Sequence, residues 1–346
     1  MANVLQKIFN ASVDEVAQTY TIQSWHVSQS VDAFTAAVEY DISISGSLNV
    51  TGSLVNGDTT LIASGEYSHA EGIGTVASGD FSHAEGQFTS ASNDGSHAEG
   101  YSTLASGVQS HAEGYEATSS GDYSHAEGFS AKAIGFYSHA EGAVAQAIGD
   151  VSHAEGNTTQ AIGDYSHAEG ASTQAIGNSS HAEGSSTIAS GSYSHTEGSG
   201  TITSGSYAHA EGLNTIAIGE GSHAEGIDTI SIGTNSHAEG NLTIALGSTS
   251  HTEGNGTIAS GSYQHVSGQY NTHGDTTSLL IVGNGTSGTR KDAFKVTHSS
   301  SIALPQTQSA APTWTGVDGE IIPATVGGIY RLYMWMNGAW HSSSFA

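Results

Sequence analysis

Small and polar positions alternate in short runs through the middle of the chain, and each run ends on glycine. Ala161-Ile162-Gly163-Asp164-Tyr165-Ser166-His167 is followed by Ala168-Glu169-Gly170-Ala171-Ser172-Thr173-Gln174, and both halves read Ala-x-Gly-x-x-Ser/Thr-x. Each half contains a five-residue alternation, Thr-x-Ala-x-Gly or Ser-x-Ala-x-Gly, and period two predicts a β-strand. Gly plus two variable residues then predicts a tight turn, because Gly accepts the positive φ that turns require. Two strands and two turns make one 14-residue coil of a solenoid. The coil recurs 15 times over roughly residues 58–267 without insertion or deletion. A helix is disfavoured, since glycine every seven residues would cost about 1 kcal/mol each.

The alternation also assigns faces. Ser, Thr and Ala point one way, and only such small groups fill the space between two closely packed strands, so they face into the coil. One outer face then carries His and Glu in nearly every coil. The other carries the two residues flanking its Ala, such as Ile216 and Ile218 or Ile230 and Ile232. Where the first of these is polar, at Lys132, Gln146, Gln160 and Gln174, the second is Ile134, Ile148, Ile162 and Ile176. A long apolar stripe on a thin solenoid is expected to be covered. Ile188, Ile202, Ile216, Ile218, Ile230, Ile232 and Ile244 are its candidate residues for contact with other copies of the chain. At ~4.8 Å per coil, the array is a rod on the order of 70 Å long.

Composition agrees with this picture. The 346 residues include 46 Gly and no Cys, and 33 acids against 6 bases give a net charge of −27. The two fixed positions, three after and four before each repeat His, hold 29 of the glycines, so the excess is architectural. The negative charge argues against a nucleic-acid partner. The opening MANVLQKIFNASVDEVAQTY has no long apolar run, so neither a signal peptide nor membrane insertion is expected from it.

AIGDYSHAEG and AIGNSSHAEG are similar to the AIGxxSxAxG repeat of YadA-like head domains, which occur in trimeric bacterial adhesins and phage tail fibres. The repeats cover about 61% of the chain. The resemblance implies an all-β fold, a left-handed parallel β-roll solenoid of three chains packed about one axis, with the aliphatic face of the AIG-type strand turned toward the trimer. The segment Ile281-Val282-Gly283-Asn284-Gly285-Thr286-Ser287, with Arg290-Lys291-Asp292-Ala293-Phe294-Lys295-Val296 after it, resembles the segment found downstream of such repeats in phage fibres.

Three regions result: 1–57, an N-terminal attachment region; 58–268, the β-roll; and 269–346, a β-rich cap or tip. In the first, Val13, Ala17, Tyr20, Val27, Val31, Phe34 and Val38 keep heptad spacing around Ser24, which reads as a short coiled coil or an extended stretch. Strict alternation in Ile42-Ser-Ile44-Ser-Gly46-Ser-Leu48-Asn-Val50-Thr-Gly52-Ser-Leu54 reads as a β linker. In the last, residues 329–336 read as a strand, Asn337-Gly338 as a type I′ turn and residues from Ala339 as the return strand.

His and Glu at i, i+2 are a ligand set for Zn²⁺ or Ni²⁺. A catalytic or metal site needs one special constellation, however, and here every coil is alike. The expectation is therefore a structural ladder with no cofactor and no bound metal, beginning His69, His83, His97 beside Glu71, Glu85, Glu99. Neighbouring His and Glu would hydrogen-bond and dilute carboxylate repulsion. Histidines titrating near ~6.5 would then change the surface charge between about pH 7 and 5. The aromatics before SHAEG (Tyr67, Phe81, Tyr123, Tyr137, Tyr165, Tyr193, Tyr207, Tyr263) are expected to pack against an adjacent chain rather than bind sugar. Trp314, Tyr330, Tyr333, Trp335, Trp340 and His341 are candidates for receptor binding, with packing of the cap the equal alternative.

The functional expectation is a homotrimeric phage tail fibre located in the virion. A tail or baseplate protein would hold its N-terminus, and its C-terminal tip would meet a host glycan or protein. A bacterial surface adhesin is the alternative. A polysaccharide-cleaving tailspike is weaker, resting on the Asp318–Glu320 pair, and no enzyme activity is expected.

Overall fold

The computed structural model describes residues 54–57, 61–299, 302–303, 310–313, 315–316, 320–327 and 329–344. The heptad-spaced residues 13–38, the linker before Leu54, Trp314 and Asp318 lie outside them. Among the described residues there is no helix, and the fold is a parallel β-solenoid of about 16 turns.

Each coil gives one strand to each of two sheets. A five-residue strand such as His83–Gln87 alternates with a two-residue strand such as Ser90–Ala91. Like strands stack in parallel with no slip, so His83 lies on His97, Glu85 on Glu99 and Ala91 on Ala105. The second strand is shorter than its alternation predicts, because the chain turns a corner on either side of it.

The core is what the alternation requires. Ala84, Ala91, Ser82 and Thr89, with their equivalents in other coils, are buried. The serine before the repeat histidine is satisfied locally in most coils, Ser180 and Ser222 excepted: Ser82 Oγ donates to the Gly79 carbonyl at 2.6 Å and Ser152 Oγ to Gly149 at 2.6 Å. Where a coil carries an extra hydroxyl, that hydroxyl meets another. Ser119 and Ser124 are 2.6 Å apart, as are Ser231 and Ser236, and Thr196 and Thr203 are 2.7 Å apart. The core threonines differ: the hydroxyls of Thr89, Thr103, Thr159 and most of their equivalents are buried with no hydrogen-bond partner, their methyl groups filling the coil beside the alanines.

The turn expectation needs correcting. The left-handed corner residues are mostly not glycines: Tyr67, Phe81, Tyr123, Tyr165 and Tyr193 all hold φ of 58°. The glycine three after each His does have positive φ, 111° at Gly86, whereas the glycine four before does not. What both rows share is close approach. A Cβ on Gly86 would meet the Gly100 carbonyl oxygen at 2.1 Å, and one on Gly163 that of Gly177 at 2.2 Å. Glycine is required here by coil stacking more than by the turn.

Both ends of the long sheet extend past the repeats. Leu54–Gly57 pairs in parallel with the first strand, and Ser278–Asn284 with the last, each at an offset of 15 residues (Leu54 on His69, His265 on Leu280). Asp292–Thr297 then runs antiparallel to Ser278–Asn284, which ends the parallel ladder. A separate three-stranded sheet is formed by Ile321–Val326, Ile329–Met336 and Ala339–Ser344. Asn337 and Gly338 have φ of 50° and 77°, as the type I′ turn requires.

Candidate functional site

Parallel register turns the repeated histidine into a column. Ring centroids from His69 to His265 are spaced 4.6–4.9 Å apart. Neighbouring rings are near parallel, 4° for His69–His83 and 3° for His139–His153, until His251–His265 tilts to 36°. This spacing is simply the inter-strand distance.

The glutamates form a second column beside it. His Nε2 lies 3.5 Å from the carboxylate of its own coil at His83–Glu85 and 3.7 Å at His181–Glu183. Toward the C-terminal end the pairing passes to the preceding coil, His251 to Glu239 at 3.3 Å and His265 to Glu253 at 3.4 Å. Among the described residues only these last two are His–Glu hydrogen bonds between coils, so the expected ladder of such bonds is corrected to stacked rings facing carboxylates at longer range. The glutamates from Glu169 to Glu253 and the glycines beside them line an open trough of ≈ 790 Å³.

The electrostatics follow from the stacking. Burial first, and neighbouring imidazolium charge second, lower the pKa of His111, His181, His209 and His237 below the usual 6.5. The same causes lower His153 and His167, each against the ring of the preceding coil. Glu183 is pushed up to about 7 by its hydrogen bond with Glu197, and Glu225 to about 7 by that with Glu211. Glu211 is lowered by its bond with Glu225. Glu225 therefore keeps its proton to a higher pH than Glu211 and Glu239 on either side of it.

For these six histidines the expected titration near 6.5 moves to lower pH. In a pH titration followed by NMR, the ring protons of His111, His153 and His209 are expected to show midpoints below 6.5; midpoints at or above it would contradict the stacked, half-buried column. For stability, the unfolded chain takes up these protons first. The histidine contribution is therefore present above about pH 6.5 and is lost as pH falls through the folded values.

The aliphatic stripe lies on the other sheet. Ile188, Ile202, Ile216, Ile230 and Ile244 are half-buried, while Ile218 and Ile232 stand 45% and 40% exposed in the single chain. The aromatics before SHAEG project outward from their left-handed corners and stack where adjacent coils both carry one, Tyr67 on Phe81 at 5.3 Å, Tyr123 on Tyr137 at 4.9 Å and Tyr193 on Tyr207 at 5.1 Å.

Two features are not apparent from the sequence alone. Tyr101, Tyr115 and Phe129 form a second aromatic stack at the far end of the long strand, with centroids 4.9 and 5.2 Å apart. That position is Gln87 or Ala143 in flanking coils, so its signal is visible only with the coils aligned. A corner ladder is the other. Asp80 Oδ1 accepts the Glu66 N–H at 2.8 Å, and Asp150 and Asp164 do the same for Phe136 and Asp150 at 2.9 and 3.0 Å. Irregular spacing of Asp hides it.

At the C-terminus the candidate aromatics separate. Tyr330 is 64% exposed and His341 is exposed, but Tyr333 is buried. Trp335 lies opposite Trp340 with rings 5.3 Å apart, edge to face, and Gly316 packs against both.

Residues 98–124, 210–236 and 238–263 match the YadA head domain repeat. No curated protein matches the chain. Repeat, register and family match agree, and between residues 98 and 263 the chain carries YadA-like head domain repeats.

Proposed function

We propose that three copies of this chain form a rod-shaped attachment fibre that holds its C-terminal hairpin away from the particle or cell that carries it. The observation that carries this reading is the isoleucine stripe. The slip-free stacking lines up an aliphatic face that is unbroken from Ile188 to Ile258, and a single chain leaves it partly uncovered. Copies packed about a common axis would bury it without altering the coil. Within this reading the parent structure is a phage tail, with the N-terminal region docked to a tail or baseplate protein and Tyr330, Trp335, Trp340 and His341 near the receptor contact. The match to an adhesin head repeat supports the second setting, a bacterial cell surface, where the same rod would act as a trimeric adhesin.

Light scattering on the purified chain is expected to give the mass of three copies. Ile216→Asp with Ile230→Asp places two carboxylates on the stripe and is expected to reduce that mass to one copy while the β-signal in circular dichroism persists. A monomeric wild type would overturn the assembly. Immunogold labelling of virions and of bacterial cells separates the two settings.

A further inference from the structure

We propose that the His–Glu column is a linear array of binding sites for divalent transition-metal ions, with Zn²⁺, Ni²⁺ and Cu²⁺ the fitting class. The first observation is an orphaned atom repeated along the rod. In twelve coils, from His83 to His237, the imidazole Nε2 is shut off from solvent and makes no hydrogen bond. Buried polar nitrogens are rarely left so, and here the same nitrogen is left coil after coil.

The second observation is distance. His Nε2 and the carboxylate of the same coil are 3.5 Å apart at His111–Glu113, 3.6 Å at His139–Glu141 and 3.6 Å at His167–Glu169. That exceeds the usual hydrogen bond of about 2.7–3.2 Å. It matches the separation of two ligands that share one ion: bonds of about 2.0–2.2 Å at a near-tetrahedral angle put nitrogen and oxygen about 3.4 Å apart. The next coil supplies a third ligand. In His139–Glu141–His153 and His167–Glu169–His181 the ligand atoms all lie within 4.8 Å of one another.

Chemistry and access agree. A metal takes the neutral imidazole, so it competes with a proton for the ring and binds more tightly as pH rises. The glutamate side opens onto the acidic trough, where a chain of net charge −27 concentrates cations. Stacked rings aim their lone pairs in parallel, so an ion binds one imidazole with its own Glu and draws the neighbouring ring by a turn about its Cβ–Cγ bond. Each imidazole serves one ion, so occupied sites alternate along the rod. Identical coils, which argue against a catalytic centre, are what such an array needs.

The test uses the full chain, stripped with EDTA and equilibrated with Zn²⁺ at pH 7.5. Two ladder histidines per ion predict about seven ions retained per chain by elemental analysis. Five or more support the array; four or fewer overturn it, because the four histidines outside the column could hold that many singly. Loaded with Cu²⁺, the wild type is expected to show nitrogen couplings in its electron paramagnetic resonance spectrum, and their absence overturns the assignment without any variant. Glu141→Gln, Glu155→Gln and Glu169→Gln together keep the histidine stack and are expected to remove about two of the ions. An undiminished count in a variant of native circular dichroism also overturns it.

Discussion

Gly163→Ala is expected to destabilise the solenoid by about 3 kcal/mol, measured by guanidinium unfolding. The backbone at Gly163 is one that alanine adopts freely, so the cost is purely steric. The new methyl carbon would lie 2.2 Å from the Gly177 carbonyl oxygen and 2.5 Å from its carbon, and backbone cannot rotate away as a side chain does. To admit the methyl, two coils must separate locally and weaken the hydrogen bonds between them, such as Ile162 N–H to Ala175 at 2.7 Å. Gly170→Ala meets the same obstacle, at 2.2 Å from the Gly184 carbonyl oxygen, with φ of +108° in addition, and is expected to cost more. Gly288→Ala, where nothing lies within 4 Å of the new carbon, is expected to stay within about 0.5 kcal/mol of wild type. Because coils touch only their neighbours, stability is close to a sum of local interfaces, and a mid-rod defect should also divide unfolding into two transitions. A Gly163→Ala protein that unfolds within about 0.5 kcal/mol of wild type would mean that the coils can part at little cost.

These glycines show how far the sequence can be read. An unbroken 14-residue period with Ala, Ser and Thr at alternate positions sets two strands per coil, the register and the inward face, because a one-residue slip would send histidine and glutamate inward in place of alanine. The period identifies which positions must be glycine. It does not say why, since turn conformation and close approach leave the same residue behind, and only neighbouring coils in place show that Tyr67 and Phe81 take the left-handed φ. The His and Glu columns are legible as columns. Their partners are not: whether an imidazole meets the carboxylate of its own or the preceding coil depends on side-chain rotation, which period does not encode. The C-terminal hairpin is legible to the residue from Asn337-Gly338. Tyr333 groups with surface aromatics in the sequence because proximity along the chain carries no information about which side of a twisted three-stranded sheet is covered.

Lys295→Met is the other large effect, expected to cost about 3–5 kcal/mol where the parallel ladder ends. Lys295 Nζ donates to Asp275 Oδ2 at 2.9 Å and lies 2.8 Å from Asp292 Oδ2; the three side chains are 16%, 15% and 3% exposed. Methionine keeps the length and removes the charge, leaving two carboxylates with no cation between them. Asp275 also accepts from the backbone N–H and hydroxyl of Thr277 and of Ser278, so it fixes the start of the strand that closes the last coil. Asp292 Oδ1 holds the Thr272 N–H at 2.8 Å. Burial alone would raise the pKa of Asp275, yet Lys295, Ser278 and Thr277 together hold it far below the ordinary 3.8. Burial would likewise lower Lys295, and Asp292 and Asp275 hold it above 10.5. The Asp275 contribution is therefore complete above about pH 4 and is lost as pH falls toward the folded value, while the Lys295 contribution is complete below about pH 10 and is lost as pH rises through its own. Wild type should weaken at acid pH more steeply than Lys295→Met, since the variant has already lost the pairing that acid removes. A second substitution, Asp292→Asn, should restore part of the loss in the methionine variant by relieving an unpaired charge. Parallel acid limbs, or a cost below about 1 kcal/mol for Lys295→Met, would reduce the cluster to an ordinary surface pair and move the stability of the closing strand onto its hydrogen bonds with His265–Gln269.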